Sequence, residues 1–223
     1  MGKYKVIFKF DKEKDLFNIW ETCNKDSNWY DHKKNIHPMF LDMCEGKEFN
    51  EIREELGNYR KRMHDSGLIE LFVDAVQKAW DKINDEFFKR LKKVMKKPFK
   101  FEKINAYATT VVRCPYDYKE PWFMFSFFRD IPNVLNTCGH ELMHIHFHNT
   151  YWSDVEKQIG KKKTADLKEA LTVLLNLEFK DLWFVEDKGY DIHKKLRKFI
   201  EKEWKEEKNF EKLLNKCIKH LKK

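Results

Sequence analysis

The sequence predicts an α+β protein that is predominantly helical and has a small mixed β-sheet. Only 7 Gly and 5 Pro occur among the 223 residues, so few turns are signalled and long helices are favoured over a many-stranded barrel or sandwich. Hydrophobic residues make up 42% of the chain and aromatic residues 15%. This apolar content is enough for a buried core and argues against disorder.

Residues 1–98 are predicted to form an N-terminal strand and helical region. Apolar residues alternate with basic ones at the start of the chain and then recur at helical spacing. The predicted elements are a strand over 4–10 and helices over 15–23, 48–64 and 68–95. Residues 24–47 have no clear pattern, and we identify no functional motif in this region.

Residues 99–223 change character, with strands first and helices after them. The predicted elements are strands over 99–112 and 122–128, a loop at 114–117, and helices over 132–150, 165–179 and 193–223. Pro132 suits the first turn of its helix, and Thr164 is predicted to cap the next one. We expect the two regions to pack as one compact unit.

Charge and cysteine content bear on the cellular setting and the partners. Formal net charge is +8, but 37 acidic residues are interleaved with 45 basic ones, so a Lys-rich solvated surface is favoured over a nucleic-acid interface. The N-terminus does not resemble a signal peptide, and no apolar run approaches the ~18 residues of a membrane span. The five Cys lack a CxxC pair, which favours a reducing compartment. We therefore expect a cytoplasmic monomer that binds neither nucleic acid nor membranes.

The segment His140-Glu141-Leu142-Met143-His144 has the spacing of a metal site. On a helix, His140 and His144 lie one turn apart on the same face, so both imidazoles can bind one ion. Two such ligands supply half of a tetrahedral zinc site. Glu141 places a carboxylate beside the ion, where it can take a proton from a water molecule bound there.

The rest of this helix is amphipathic in the way that such a site requires. Both motif histidines lie nearly opposite an apolar stripe formed by Leu135, Cys138, Leu142 and Ile145. The helix is therefore expected to pack the stripe on the core and to turn the histidines toward a cleft. His146 and His148 are interpreted as mainly structural, because a straight helix cannot readily bring more of its residues to the same ion.

The motif resembles that of the zincin metallopeptidases, and within them the gluzincins. The metzincin branch would require Gly at position 147 and His at position 150, where this chain has Phe147 and Thr150. The resemblance covers roughly residues 100–195. It implies a zincin-like catalytic core, a bound Zn²⁺, and a third ligand, a Glu, from a second helix downstream.

The third ligand is expected within residues 168–178. This segment is apolar nearly all round and should be buried, and a buried Glu needs a partner such as a metal ion. Glu169 is the predicted ligand because its Glu-Ala start resembles the second helix of gluzincins. Glu178 is the alternative, and Asp166 is a weaker one.

One position departs from the family pattern. Thermolysin-like members carry an Asp four residues after the ligand Glu, where it orients a histidine, and this chain has Val173 there. Asn176 shares the face of Glu169 and is a candidate substitute.

The resemblance also implies groups that handle the substrate. Gluzincins often place a Tyr or His downstream of the Glu helix as a donor to the oxyanion, so Tyr190 and His193 are candidates, with packing roles as the alternative. The segment Asn105–Ala108 is similar to the strand that pairs with an extended substrate in thermolysin-like enzymes. An ordinary strand is the other interpretation.

The predicted function is that of a zinc-dependent peptidase acting on a peptide or protein. His140, His144 and Glu169 would hold Zn²⁺, and Glu141 would serve as the general base. The alternatives are a zinc amidohydrolase with another amide substrate, or a non-catalytic binding module stabilised by zinc. A basic nucleic-acid-associated protein with an incidental histidine pair is a third class.

Overall fold

A computed structural model describes residues 2–25 and 31–222 of the chain. Its strands are β1 (Lys5–Phe10), β2 (Lys103–Thr109), β3 (Tyr116–Asp117) and β4 (Trp122–Ser126). Its α-helices are α1 (Lys12–Asn24), α2 (Pro38–Cys44), α3 (Phe49–His64), α4 (Leu68–Met95), α5 (Ile131–Thr150), α6 (Trp152–Leu171), α7 (Val173–Glu178), α8 (Lys180–Trp183), α9 (Lys194–Glu206) and α10 (Phe210–Lys222). Short 3₁₀ helices occupy His32–Asn35 and Asp191–His193. The predicted α+β class, mostly helical with a small mixed sheet, is confirmed.

The four strands form one mixed sheet in the order β1-β2-β4-β3. β1 and β4 both run parallel to β2, and β3 runs antiparallel to β4. Asn105 is therefore paired on both sides, with Ile7 of β1 and with Trp122 of β4. Of the two interpretations of residues 105–108, the structure supports the ordinary strand and not the substrate-pairing strand, because both edges of β2 are paired within the sheet.

Both predicted regions contribute to this sheet and to the larger of two hydrophobic cores, and the smaller core lies mainly among α1, α2 and α3. β1, from residues 1–98, supplies an edge strand, while α4 packs along β1 and against α5. The approach of α5 to its neighbours depends on Gly139, where a Cβ atom would lie only 2.6 Å from the Trp183 ring. A side chain at this position would therefore push α5 away from α8.

The N-terminal helix α1 is tied to the end of β2 by a buried carboxylate. Asp15 is fully buried and accepts hydrogen bonds from the Thr109 hydroxyl (2.8 Å) and from both the backbone N–H and the hydroxyl of Thr110 (each 2.6 Å). Its second oxygen also lies 2.8 Å from Nε2 of His64 on α3. These bonds hold the chain just before residues 112–116, which border the predicted metal site.

Two local predictions need correction. Thr164 does not begin a helix but lies inside α6, where its hydroxyl donates to the Gly160 carbonyl at 2.9 Å. The break in this helix is instead at Gly160, whose φ of 78° and ψ of 162° interrupt the α conformation. The predicted loop at 114–117 contains the short strand β3. Residues 26–30, within the segment that showed no sequence pattern, lie outside the described residues.

Among residues 2–25 and 31–222, no helix has both the length and the apolar character needed to cross a membrane.

Candidate metal centre

Helix α5 presents the predicted histidines as its amphipathic pattern requires. The apolar stripe is buried in the main core, and its members are Leu135, Cys138, Leu142 and Ile145. His140 and His144 lie on the other side with their rings 4.3 Å apart. His146 is buried and stacks on Phe99, as befits the structural role expected of it.

Helix α6 brings Glu169 to the two histidines. Oε2 of Glu169 lies 3.2 Å from Nε2 of His144 and 3.6 Å from Nε2 of His140. One ligand atom from each of the three residues lies within 4.8 Å of the others, and both His144 and Glu169 are buried. Three residues from two helices therefore converge on one point.

The spacing of these donors fits a zinc ion. Two donors that each bind zinc at ~2.1 Å with a tetrahedral angle between them are about 3.4 Å apart. The observed nitrogen–oxygen distances of 3.2 Å and 3.6 Å lie on either side of that value. Two imidazoles and one carboxylate are also the ligand set of several catalytic zinc sites.

A second carboxylate, on Asp187, orients His140. Oδ2 of Asp187 lies 2.6 Å from Nδ1 of His140. Nδ1 is therefore the donor to Asp187, and Nε2 is the atom that faces Glu169 and would bind an ion. Burial alone would lower the pKa of His140, but the carboxylates of Asp187, Glu169 and Glu141 outweigh it and raise that pKa to about 10, so an ion at Nε2 would displace a proton. Sequence reasoning missed this residue. It lies 47 positions from its partner in a segment without regular structure.

Asp187 is itself held on several sides. Its Oδ1 accepts from the Thr172 hydroxyl at 2.9 Å and forms an ion pair with Nη1 of the buried Arg197 at 2.9 Å. Its backbone N–H donates to Oδ1 of Asn176 at 2.7 Å, and Nδ2 of Asn176 donates to its carbonyl at 2.8 Å. Asn176 thus acts through Asp187 and is not the residue in contact with the histidine. The orienting carboxylate comes from the chain after α8, not from the position of Val173.

Glu141 lies beside the cluster with a free carboxylate oxygen. Only 7% of the residue is exposed, and its Oε2 has no hydrogen-bond partner among the described residues. Burial raises the pKa of Glu141 to about 7, although the nearby His140 and Lys168 favour the charged form. By contrast, burial lowers the pKa of His144 to about 3, so this ring is neutral near pH 7 and has a lone pair to offer.

A buried lysine, Lys168, contacts the carboxylate of Glu169 through the oxygen that is not the one near the histidines. Nζ of Lys168 lies 2.7 Å from Oε1 of Glu169 and donates to the Tyr116 hydroxyl at 2.8 Å. The same hydroxyl lies 2.9 Å from Nε2 of His148. Burial would lower the pKa of Lys168, but Glu169 and Tyr116 outweigh it and raise that pKa. The sequence carried no signal for this contact, because Tyr116 lies 52 positions away in a segment predicted to be a loop.

The cluster lies in the wall of a cavity of about 1090 Å³. The cavity is bordered by residues 112–116, by one face of α5, by Lys168 and Glu169, and by residues 186–191. Tyr190 lies in this wall, and burial raises the pKa of its phenol. A space of this size is at the upper end of typical ligand pockets and can accommodate a peptide segment.

The other candidate site residues, His193, Asp166 and Glu178, do not contact the His140–His144–Glu169 cluster in the contacts described. His193 is not among the described residues that line the cavity, and its Nε2 pairs with Oδ1 of Asp166 at 3.1 Å. Asp166 is therefore placed away from the histidine pair. Oε1 of Glu178 accepts from the indole of Trp204 at 2.8 Å and pairs with Nζ of Lys208 at 2.6 Å. Of the three candidate carboxylates, only Glu169 reaches the histidines.

Comparison of the chain with protein-family models, with curated proteins and with solved structures finds no significant match.

Proposed function

We propose that this chain is a zinc-dependent peptidase with a zincin-like catalytic core of the gluzincin type. One observation carries the proposal. Three donor atoms of His140, His144 and Glu169 converge in the wall of a cavity, at separations suited to zinc, beside a buried Glu141 carboxylate with an unpartnered oxygen. A nucleic-acid role with an incidental histidine pair would not require this convergence.

Within this proposal, the ion supplies Lewis acidity and lowers the pKa of a bound water. The chain supplies the remaining functions. Asp187 keeps Nε2 of His140 available as a ligand atom. Oε2 of Glu141 accepts the proton of the attacking water and passes it to the leaving amine. Tyr190, in the cavity wall, is the proposed hydroxyl donor to the developing oxyanion.

His193 takes no part in this scheme. Its ring lies 6.0 Å from that of Tyr190 and pairs with Asp166 outside the cavity.

Metal content tests the ligand assignment through a matched pair of variants. Purified wild-type protein is expected to hold one zinc ion per chain, and Glu169→Gln is expected to lose it. Glu178→Gln makes the same chemical change at a residue that is paired with Lys208 instead, and it is expected to keep the zinc. Equal zinc content in the two variants would remove Glu169 from the ligand set.

Cleavage of a peptide library tests the activity. Glu141→Gln is expected to retain zinc and to abolish cleavage, because an amide cannot accept the proton. Glu186→Gln is the control, since Glu186 borders the same cavity but is paired with Lys180. A wild-type protein that binds one zinc and cleaves no peptide would favour the binding module or another amide substrate. Full activity of Glu141→Gln would rule out the general-base role.

A further inference from the structure

Lys168 is an unusual neighbour for a metal ligand. A lysine is almost never fully buried unless it is paired, and only 5% of the Lys168 side chain is exposed. Its ammonium group contacts one oxygen of Glu169, the residue after it in α6, and the hydroxyl of Tyr116 on β3.

The two oxygens of Glu169 have different partners. Oε1 lies 2.7 Å from Nζ of Lys168, while Oε2 lies 3.2 Å from Nε2 of His144 and 3.6 Å from Nε2 of His140. For a carboxylate to bind an ion through both oxygens, both would have to face the histidines. Oε1 is instead engaged by the ammonium group of Lys168.

We propose that Lys168 is a positioning residue that restricts Glu169 to binding zinc through Oε2 alone. The inference rests on the proposed metal site and adds a statement about its coordination number. One carboxylate oxygen and two imidazoles make three protein ligands, which leaves the fourth position of a tetrahedral ion open for water or a substrate carbonyl. A second oxygen from Glu169 would compete for that position.

On the side away from Glu169, the ammonium group of Lys168 is held by Tyr116, which is itself held by aromatic residues. Its acceptor, the Tyr116 hydroxyl, also contacts Nε2 of His148 at 2.9 Å. The ring of His148 stacks between those of Tyr118 and Trp152, with centroids 4.2 Å away on each side. A clamped ring of this kind holds Tyr116 in place, and Tyr116 in turn limits where the ammonium group can lie.

A simpler role for Lys168 would be to neutralise a buried carboxylate. That role requires only a nearby positive charge and does not depend on which oxygen is contacted. Removal of the ammonium group distinguishes the two roles, because only the positioning role changes how many oxygens reach the ion.

Cobalt substitution makes this difference visible. Four-coordinate Co²⁺ absorbs visible light much more strongly than five-coordinate Co²⁺, so its spectrum reports coordination number without any assay of activity. In Co²⁺-loaded wild-type protein we expect the strong four-coordinate spectrum. In Lys168→Met, Oε1 is released and can join the ion, so the absorbance per bound cobalt is expected to fall severalfold. Lys168→Arg keeps a charged donor and is expected to restore the strong spectrum.

Lys188→Met is the matched control, because Lys188 borders the same cavity and is exposed. Its spectrum is expected to equal that of the wild type. Identical strong spectra for wild type and Lys168→Met would overturn the positioning role and leave charge neutralisation. A wild-type protein that binds no Co²⁺ or Zn²⁺ would instead contradict the proposed function, so the two failures are distinguishable.

X-ray absorption at the zinc edge keeps the inference testable if Lys168→Met does not fold. This measurement uses the wild-type zinc protein and counts its nearest oxygen and nitrogen ligands. A total of four oxygen and nitrogen ligands, two from imidazoles, one from Glu169 and one from water, supports the role of Lys168. A total of five would overturn it.

Discussion

Replacing Asp187 with Asn changes the hydrogen bond that orients the His140 ring but leaves all three proposed zinc ligands in the chain. Asp187 uses one oxygen for His140 and the other for Thr172 and Arg197. An Asn side chain has only one oxygen, and the guanidinium of Arg197 can only donate. We therefore expect that oxygen to stay with Arg197 and the amide N–H group to face His140. That group donates toward Nδ1, and the ring proton must then move to Nε2, the atom that is needed for the metal.

The expected loss of zinc affinity is large for a residue that does not touch the ion. Removing the partner of a ligand histidine typically lowers metal affinity 10–100-fold, or about 1.4–2.7 kcal/mol. Because Asp187→Asn inverts the hydrogen bond rather than merely removing it, we expect a loss near ~100-fold. Arg197 also loses its buried counter-charge, which we expect to lower the free energy of unfolding by roughly 3 kcal/mol.

Zinc affinity is measured by competition with a chromophoric chelator, under conditions where circular dichroism shows the variant to be folded. Asp166→Asn is the control, because it makes the same change at a carboxylate that pairs with a histidine outside the cavity. It is expected to bind zinc like the wild type. Wild-type affinity in folded Asp187→Asn would refute the idea that Asp187 sets the tautomer of His140.

Three buried or strained positions give predictions of stability, each measured by urea unfolding. Gly139→Ala places a Cβ 2.6 Å from the Trp183 ring and is expected to cost about 1–3 kcal/mol by overpacking; a neutral effect would mean that α5 shifts freely. Asp15→Ala leaves the donors of Thr109 and Thr110 buried and unpaired, with an expected cost of at least about 3 kcal/mol; a cost well below this would show that water replaces the carboxylate. Phe184→Gly is expected to stabilise by about 1 kcal/mol, because Phe184 is 80% exposed with a φ of 64°. A destabilised variant would point to an unrecognised contact of its ring.

Local sequence patterns predicted the elements that carry the site, for a physical reason. Helical periodicity is a short-range property, so the stripe opposite His140 and His144 indicated both the helix and the direction of the histidines. The nearly all-apolar segment around Glu169 likewise predicted a buried helix. In both cases the apolar residues that formed the pattern lie within a few helical turns of the proposed ligands.

The features that the sequence could not provide depend on contacts between distant segments. The partner of β2 on one side is β1, from the start of the chain, and no local pattern in residues 105–108 indicates that this edge is covered. Asp187 reaches His140 only because Asn176 and Arg197 hold its loop in place. An acidic residue two positions before Gly189 is a weak signal that could have directed attention to this loop.

The predicted start of the helix at Thr164 failed for a different reason. Thr is a common N-cap, but its hydroxyl can equally bond to the carbonyl four residues earlier inside a helix, as it does here with Gly160. The glycine, with its positive φ, was the better signal for the break.

Zinc binding by His140, His144 and Glu169 is the central claim, and anomalous diffraction tests it most directly. Data collected on either side of the zinc absorption edge, from crystals of zinc-loaded protein, identify the ion and its ligands together. We predict a single strong anomalous peak in the cavity wall, bonded to Nε2 of His140, Nε2 of His144 and Oε2 of Glu169. A peak bonded to other side chains, or no peak in a crystal of fully folded protein, would contradict the claim.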